Sequence, residues 1–180
     1  MSLIDSAGRS VADPWRLLAE GDDIPDSGPV LVPLRRWQSE RERLSSRSDP
    51  VGVLLASNES PLDIGAGLLN LPLIALKFPK FTDGRPYSTA RLLRERHGYT
   101  GELRAVGAVL RDQLLFLRRC GFDTFALAKE QAGGDLALAF AEVSVAYQPA
   151  ADHTERAADL RLNDRTGYQS SKICAGFWAY

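Results

Sequence analysis

Three observations predict an α/β fold with a mostly parallel sheet. Short apolar runs alternate with segments of helical period. The strand starts at Val30, Val51, Leu73, Leu103 and Thr124 fall 21, 22, 30 and 21 residues apart, each interval fitting one strand, one helix and two short loops. Polar residues crowd just after the apolar runs, where the carboxyl edge of a parallel sheet would place them. About five strand–helix units are too few for a closed eight-stranded barrel but enough for an open doubly wound sheet or a partial barrel. A chain of 180 residues is most economically a single domain that buries about 70% of its unfolded surface. The expected organisation is an N-terminal arm over residues 1–29, an α/β domain over 30–150 and a C-terminal extension over 151–180.

The arm carries Gly, Asp, Pro and Ser around one short amphipathic segment, Pro14-Trp15-Arg16-Leu17-Leu18, which can pack its Trp and Leu side chains onto the domain. Val30-Leu31-Val32-Pro33-Leu34 reads as a strand kept to an edge or cut short by Pro33. Residues 35–44 follow as a helix, charged apart from Trp37 and Leu44, with Glu40 able to meet Arg36 and Arg43 on a solvated face. Val51-Gly52-Val53-Leu54-Leu55-Ala56 is the continuous apolar run of a doubly covered strand, and residues 61–70 read as a short helix. Gly65 and Gly67 do not follow a strand directly and lack a third glycine in register, so they make a poor dinucleotide loop.

The central stretch, 73–125, reads strand, helix, strand, helix, strand. Lys77 and Arg104 stand inside its apolar runs, where a charge facing a core needs a partner unless it points to the carboxyl edge or solvent. Gly133-Gly134 opens a last helix over 135–148, with Leu136, Ala139, Phe140 and Val143 on one stripe. Residues 152–162 suit a surface helix. The remaining residues have no period and end in Phe177, Trp178 and Tyr180.

Composition narrows the function classes. Hydrophobic residues make up 44% and charged residues 25%, as in ordinary globular proteins, and a net charge of -1 argues against a general nucleic-acid binder. No apolar run approaches the ~18 residues of a membrane span, and the first residues lack a signal-peptide pattern, so a cytoplasmic, membrane-free protein is expected. The two cysteines, Cys120 and Cys174, fit no metal or redox spacing. Cys120 is expected to be a small buried thiol. His97 precedes Gly98 at a helix end, where a cation complements the dipole, and His153 has no evident partner. No nucleophile elbow, Walker loop or paired histidine motif occurs, no metal site is expected, and no cofactor motif is encoded.

The loop after the third predicted strand suits an anion. Pro86 presets a helical φ, and Ser88 or Thr89 can cap the helix that follows, which places Arg85 and Arg91 beside a positively polarised helix start. Arg91 in a first turn is unfavourable by roughly 0.3–1 kcal/mol unless something negative neutralises it. That something is either Asp83 as an internal counter-ion or a bound oxyanion held by Arg85, Ser88 and Arg91, with Asn58, Arg111 and Gln113 as further donors. Asp83 and Asp112 are the candidate acid or base groups.

The residues Phe78-Pro79-Lys80-Phe81, Thr82-Asp83-Gly84-Arg85, Ala90-Arg91-Leu92-Leu93-Arg94-Glu95-Arg96, Gly101-Glu102-Leu103-Arg104-Ala105-Val106-Gly107, Arg111-Asp112-Gln113 and Arg119-Cys120-Gly121-Phe122-Asp123 carry a dense, ungapped resemblance to a bacterial domain-of-unknown-function family, number nine-three-four. It covers about a third of the chain strongly. Members of that family carry the description of an oxidoreductase of sulfite reduction and are typically encoded beside the haemoprotein subunit of sulfite reductase. The resemblance therefore implies an accessory protein of assimilatory sulfite reduction, with sulfite reductase as partner and sulfite, sulfate or phosphate as the small anion. Pro86 and Ala108 depart from the glycine and aspartate common at those places in the family. Two other readings fit the residues alone: an α/β enzyme acting on a phosphorylated or carboxylated small molecule, and a non-catalytic module whose Arg-rich faces bind an acidic partner.

Overall fold

The computed structural model describes residues 2–128, 135–143, 145–152 and 154–166, the last four as backbone only. Gly133-Gly134, His153, Cys174 and the aromatic residues Phe177, Trp178 and Tyr180 lie outside the described residues. In chain order the elements are β1 (Ser2–Asp5), β2 (Ser10–Val11), β3 (Arg16–Leu17), β4 (Val30–Pro33), α1 (Leu34–Ser39), α2 (Arg41–Ser45), β5 (Val51–Leu55), β6 (Leu73–Phe78), α3 (Arg85–Glu95), β7 (Glu102–Gly107), α4 (Leu114–Arg119), β8 (Thr124–Leu127), α5 (Leu136–Ala141) and α6 (Ala157–Thr166).

All eight strands form one sheet in the order β2-β1-β8-β7-β6-β5-β4-β3. From β3 to β8 the neighbours are parallel and follow the chain, while β1 is antiparallel to both β2 and β8. The α/β class, single domain and mostly parallel sheet are as expected, but about five units undercounts the strands. Nor is the sheet doubly wound. A strand order that never reverses, with crossovers of one hand, carries every connecting helix to the same face.

Burial shows this one-sidedness directly. Side chains alternating along the strands, among them Val32, Val53, Leu76, Leu103 and Phe125, pack under Trp37, Leu93, Leu117 and Phe140 of the helices in one continuous core. Each such side chain fully buried contributes about 1.5–3 kcal/mol, so this helix-covered face dominates the stability of the fold. The opposite face holds only a small cluster of Leu31, Leu73 and Ala75, with Trp15, Leu54 and Val106 packed against it.

That second face is concave, and the chain itself fixes how strongly it curls. Seven strand spacings separate β2 from β3, about 34 Å of arc. Yet residues 12–15 alone join these two edge strands, and the five steps from Val11 to Arg16 reach at most about 18 Å. A semicircle of that arc would hold its edges about 21 Å apart. The sheet is accordingly curled into a half-barrel, with residues 12–15 drawn across it as a strap. Residues 2–17 thus supply three strands of the sheet instead of lying loose as an arm.

Several local expectations change. Residues 35–44 do not form one helix; the chain breaks at Glu40 (φ -114°, ψ 24°) between α1 and α2. Arg36 is buried rather than solvated. It donates to the Ala19 carbonyl at 2.7 Å, to the Asp22 carbonyl and to Glu40, and so ties the chain before β4 to α1. Residues 61–70 form two 3-10 turns, Pro61–Ile64 and Leu68–Asn70, the first capped by the Ser60 hydroxyl. The helix expected over 135–148 is confined to α5, where Asp135 accepts from the Ala137 N–H; Leu136, Ala139 and Phe140 are buried, but Val143 is exposed beyond its end.

α3 starts at Arg85 with Pro86 in its first turn, two residues earlier than expected. Ser88 and Thr89 therefore lie inside the helix and do not cap it; the Thr89 hydroxyl donates back to the Arg85 carbonyl at 3.2 Å. Arg91 falls in the second turn, away from the positive end, and pairs with Glu95 one turn on, so the dipole penalty argued for it does not arise. At the end of β7, Gly107 has φ +98°, and a Cβ there would stand 2.4 Å from the Phe78 carbonyl oxygen. Only glycine lets the chain leave the strand so close to β6.

Candidate functional site at the mouth of the half-barrel

The rim of the sheet at the carboxyl ends of β5 and β6 brings together Asp83 and Arg85 of the residues singled out by sequence. Arg85 forks onto Asp83, its Nε and Nη2 donating at 2.9 and 2.7 Å, and Nη2 also donates to the Ser57 hydroxyl at 2.9 Å. Asp83 in turn accepts the Arg85 backbone N–H. The Arg85 guanidinium, then the Ser57 hydroxyl, hold the Asp83 carboxyl well below the usual carboxylate range. Both of its oxygens accept from Arg85, so the carboxylate is engaged within its own turn. Asp83 is the internal counter-ion of Arg85, a consequence of placing both in one tight turn.

The remaining rim residues are dispersed. Arg91 lies along the outer face of α3 with Glu95 at 2.7 Å, so the two arginines expected to clasp one anion each face a separate carboxylate. Ser88 is exposed beside Arg91 in a groove shared with Phe116 and Cys120. Gln113 clamps the loop before α3, accepting the Leu110 N–H at 3.1 Å and donating to the Phe81 carbonyl at 3.0 Å. Arg111 stands 3.6 Å from Glu142, while Asn58 and Asp112 are exposed on turns. Cys120 is a buried free thiol, pushed up by that burial.

Because the folded-state value of Asp83 is depressed, its contribution to stability is fully present above the ordinary carboxylate value and is lost as pH falls through the lower folded value. Denaturant titrations of Asp83→Asn against the parent should therefore show a constant deficit above about pH 5 that closes in strong acid. A deficit independent of pH would remove Asp83 as the counter-ion of Arg85.

A more apolar enclosure lies elsewhere, inside the half-barrel. A cavity of about 550 Å³ occupies the concave face under the strap, reaching from Leu17 and Leu31 across Leu54 to Val106 and Ala126. Two cations enter it from successive inward positions, for Arg104 pairs in register with Ala75 and Lys77 with Val106. Arg104 is only 3% exposed. Its guanidinium donates to Glu102 at 2.9 Å, to Asp13 of the strap at 2.8 Å and to the Thr124 hydroxyl at 3.3 Å. The Thr124 hydroxyl donates to Glu102 at 2.6 Å, so every member is satisfied. Lys77 stands about 7 Å nearer the carboxyl edge. It is exposed to the cavity mouth, with no ion pair among the described residues.

The arrangement is therefore graded: the Arg104 network with its two carboxylates at depth, apolar walls, and at the mouth one ammonium with no ion pair among the described residues. Parallel half-barrels present their carboxyl ends to ligands because loops and strand ends converge there. The sequence signal for these residues is a charge interrupting an otherwise apolar strand, present at both Lys77 and Arg104. Asp13 and Trp15 gave a weaker one, since nothing local shows which side of the sheet a four-residue strap crosses.

Among the described residues there is no group of three or more His, Cys, Asp or Glu side chains able to hold a metal ion, and no helix long and apolar enough to cross a membrane. Neither the curated proteins nor the solved structures yield a match to the chain. A family model does match, over residues 52–157, from the start of β5 through β8 and on to the first residue of α6. That span takes in the rim, the loop of Asp83 and Arg85, and both cavity cations, while the strap lies ahead of it. Covering more than half of the chain, it shows that the protein belongs to the bacterial family of proteins of unknown function termed DUF934.

Proposed function

We propose that the protein binds a small anionic molecule at the mouth of its half-barrel, and that it does so as an accessory protein of assimilatory sulfite reduction. The observation that carries the binding reading is Lys77, an inward-facing strand cation with no carboxylate partner among the described residues, at the carboxyl end of a cavity large enough for a small molecule. Arg85 and Ser57 add polar groups at the rim, although Asp83 already neutralises the guanidinium. The pathway rests on the resemblance of the central stretch, and sulfite reductase is the partner it suggests. Redox chemistry in this protein would require a cofactor supplied from outside the chain's own side chains.

The test is recovery of the protein from sulfate-grown cells, followed by native mass spectrometry of the parent and of Lys77→Ala. An anion retained by the parent and lost from the variant, together with capture of sulfite reductase, is the expected result. A parent free of any small molecule, or a ligand held equally by Lys77→Ala, would remove the mouth as the binding site. Failure to capture sulfite reductase would remove the pathway assignment alone.

A further inference from the structure

Resting on the reading of the mouth as an anion site, we infer that its ligand is an amphiphilic monoanion, with an apolar body several carbons long and a single anionic head, and not a bare inorganic oxyanion. Three features of the cavity select that class. The first is volume: about 550 Å³ lies in the range of sites that enclose whole small organic molecules, and a sulfite or phosphate ion would leave most of it to water.

The second feature is the wall. Val11, Leu17, Leu31, Leu54, Val106 and Trp15 line the cavity, drawn from both edges of the sheet, its middle and the strap. Leu17 is 58% exposed, and Leu54 and Val106 are only partly covered. Apolar side chains left open within one concavity gain by taking an apolar partner out of water, about 25 cal/mol for each Å² covered. An inorganic anion would gain nothing from them and would lose hydration on approach.

Charge is the third. At depth, Arg104 is shared between Glu102 and Asp13, so that network carries a formal excess of one negative charge and repels a second anionic group. Nearer the carboxyl edge stands Lys77 alone. A molecule with one charged end and one apolar end satisfies both levels at once, its head at Lys77 and its body along Leu54 and Leu31. A dianion or an inorganic ion satisfies only the upper level.

Isothermal titration of the full chain with octanoate, acetate, octanol and sulfate tests the inference. Octanoate should bind at least tenfold more tightly than acetate, octanol or sulfate. Lys77→Met and Leu17→Asp, both at exposed positions, should each weaken octanoate at least tenfold with unchanged unfolding midpoints. Sulfate or acetate binding as tightly as octanoate, with loss in Lys77→Met, would overturn the amphiphile while leaving the mouth as an anion site. Octanol equal to octanoate would overturn the anionic head. If no probe binds in a Lys77-dependent way, or if sedimentation shows a dimer that excludes octanoate from the trough, the inference and the reading beneath it both fall.

Discussion

Arg94→Ala should lower the unfolding free energy by about 2–4 kcal/mol, a loss of roughly 8 °C in Tm for a chain of this size. Arg94 is 17% exposed and sits in α3 beneath the turn that leads into β7. Its guanidinium donates to the carbonyls of Gly121 at 3.0 Å, Tyr99 at 2.6 Å and Gly101 at 2.9 Å, and to Asp123 at 2.5 Å, while lying 5.5 Å from the centre of the Tyr99 ring. One side chain thus fastens α3, the entry to β7 and the entry to β8. Truncation leaves three backbone carbonyls without that donor. It also leaves Asp123 with the Leu103 N–H as its remaining partner at 2.8 Å.

Burial already pushes the Asp123 carboxyl up against the opposing pull of the Leu103 N–H and Arg94, so without the arginine the ionised form is worse placed still. An acid whose folded value is raised contributes stability below its unfolded value and loses it as pH rises through the folded one. The deficit of Arg94→Ala should accordingly be largest at neutral pH and shrink below about pH 4. Arg94→Lys should recover less than half of the loss, since an ammonium cannot reproduce the planar fork that reaches three carbonyls. Equal unfolding midpoints for the parent and Arg94→Ala would remove Arg94 as the fastening between the two strands.

How much of this was legible in the sequence depends on whether a feature is local. β4, β5, β6, β7 and β8 stand where the apolar runs place them, because a strand buried on its helix-covered face needs those runs. The Arg85–Asp83 pair was legible too, since two residues within one turn must meet. Arg91 was not: shifting the start of α3 by two residues moves it from the helix end to mid-helix, where Glu95 rather than an anion becomes its partner.

β1, β2 and β3 escaped because they are two to four residues long and pair with β8 and β4, so no periodicity can develop in them. A partial barrel was one of the two sheets the strand spacing allowed, but how tightly it curls was not legible, because that is set by a strap whose two ends are opposite edges of the sheet. Lys77 and Arg104 were visible as charges in apolar runs, but their meaning depends on which face the helices leave open. That is a property of strand order, and strand order is not written in any one segment.

Arg104→Ala should cost about 2–4 kcal/mol and also loosen the strap, two effects that Asp13→Ala separates. Arg104 is the least exposed of the charged groups that meet here: its side chain is 4% exposed, against 28% for Glu102 and 46% for Asp13. Without the guanidinium the two carboxylates face each other across the cavity floor. Their partial exposure lets water relieve some of the repulsion, which keeps the loss below that of a fully buried pair. Asp13→Ala leaves Arg104 bonded to Glu102 and Thr124 and removes a half-exposed partner, so it should cost only about 1 kcal/mol.

Both variants nevertheless cut the Arg104–Asp13 ion pair that joins the strap to the sheet's centre. Hydrogen exchange should therefore rise in both over residues 10–18, where the Arg16 and Leu18 N–H groups bond the carbonyls of Pro29 and Leu31. Only Arg104→Ala should also lower protection in β7 and β8. A half-barrel whose edges are held at most about 18 Å apart by four residues cannot keep its curvature if the strap lifts away, so the cavity at Lys77 should widen in step. Unchanged exchange over residues 10–18 in Asp13→Ala would show that Trp15, packed against Leu31, Leu73 and Ala75, holds the strap by itself.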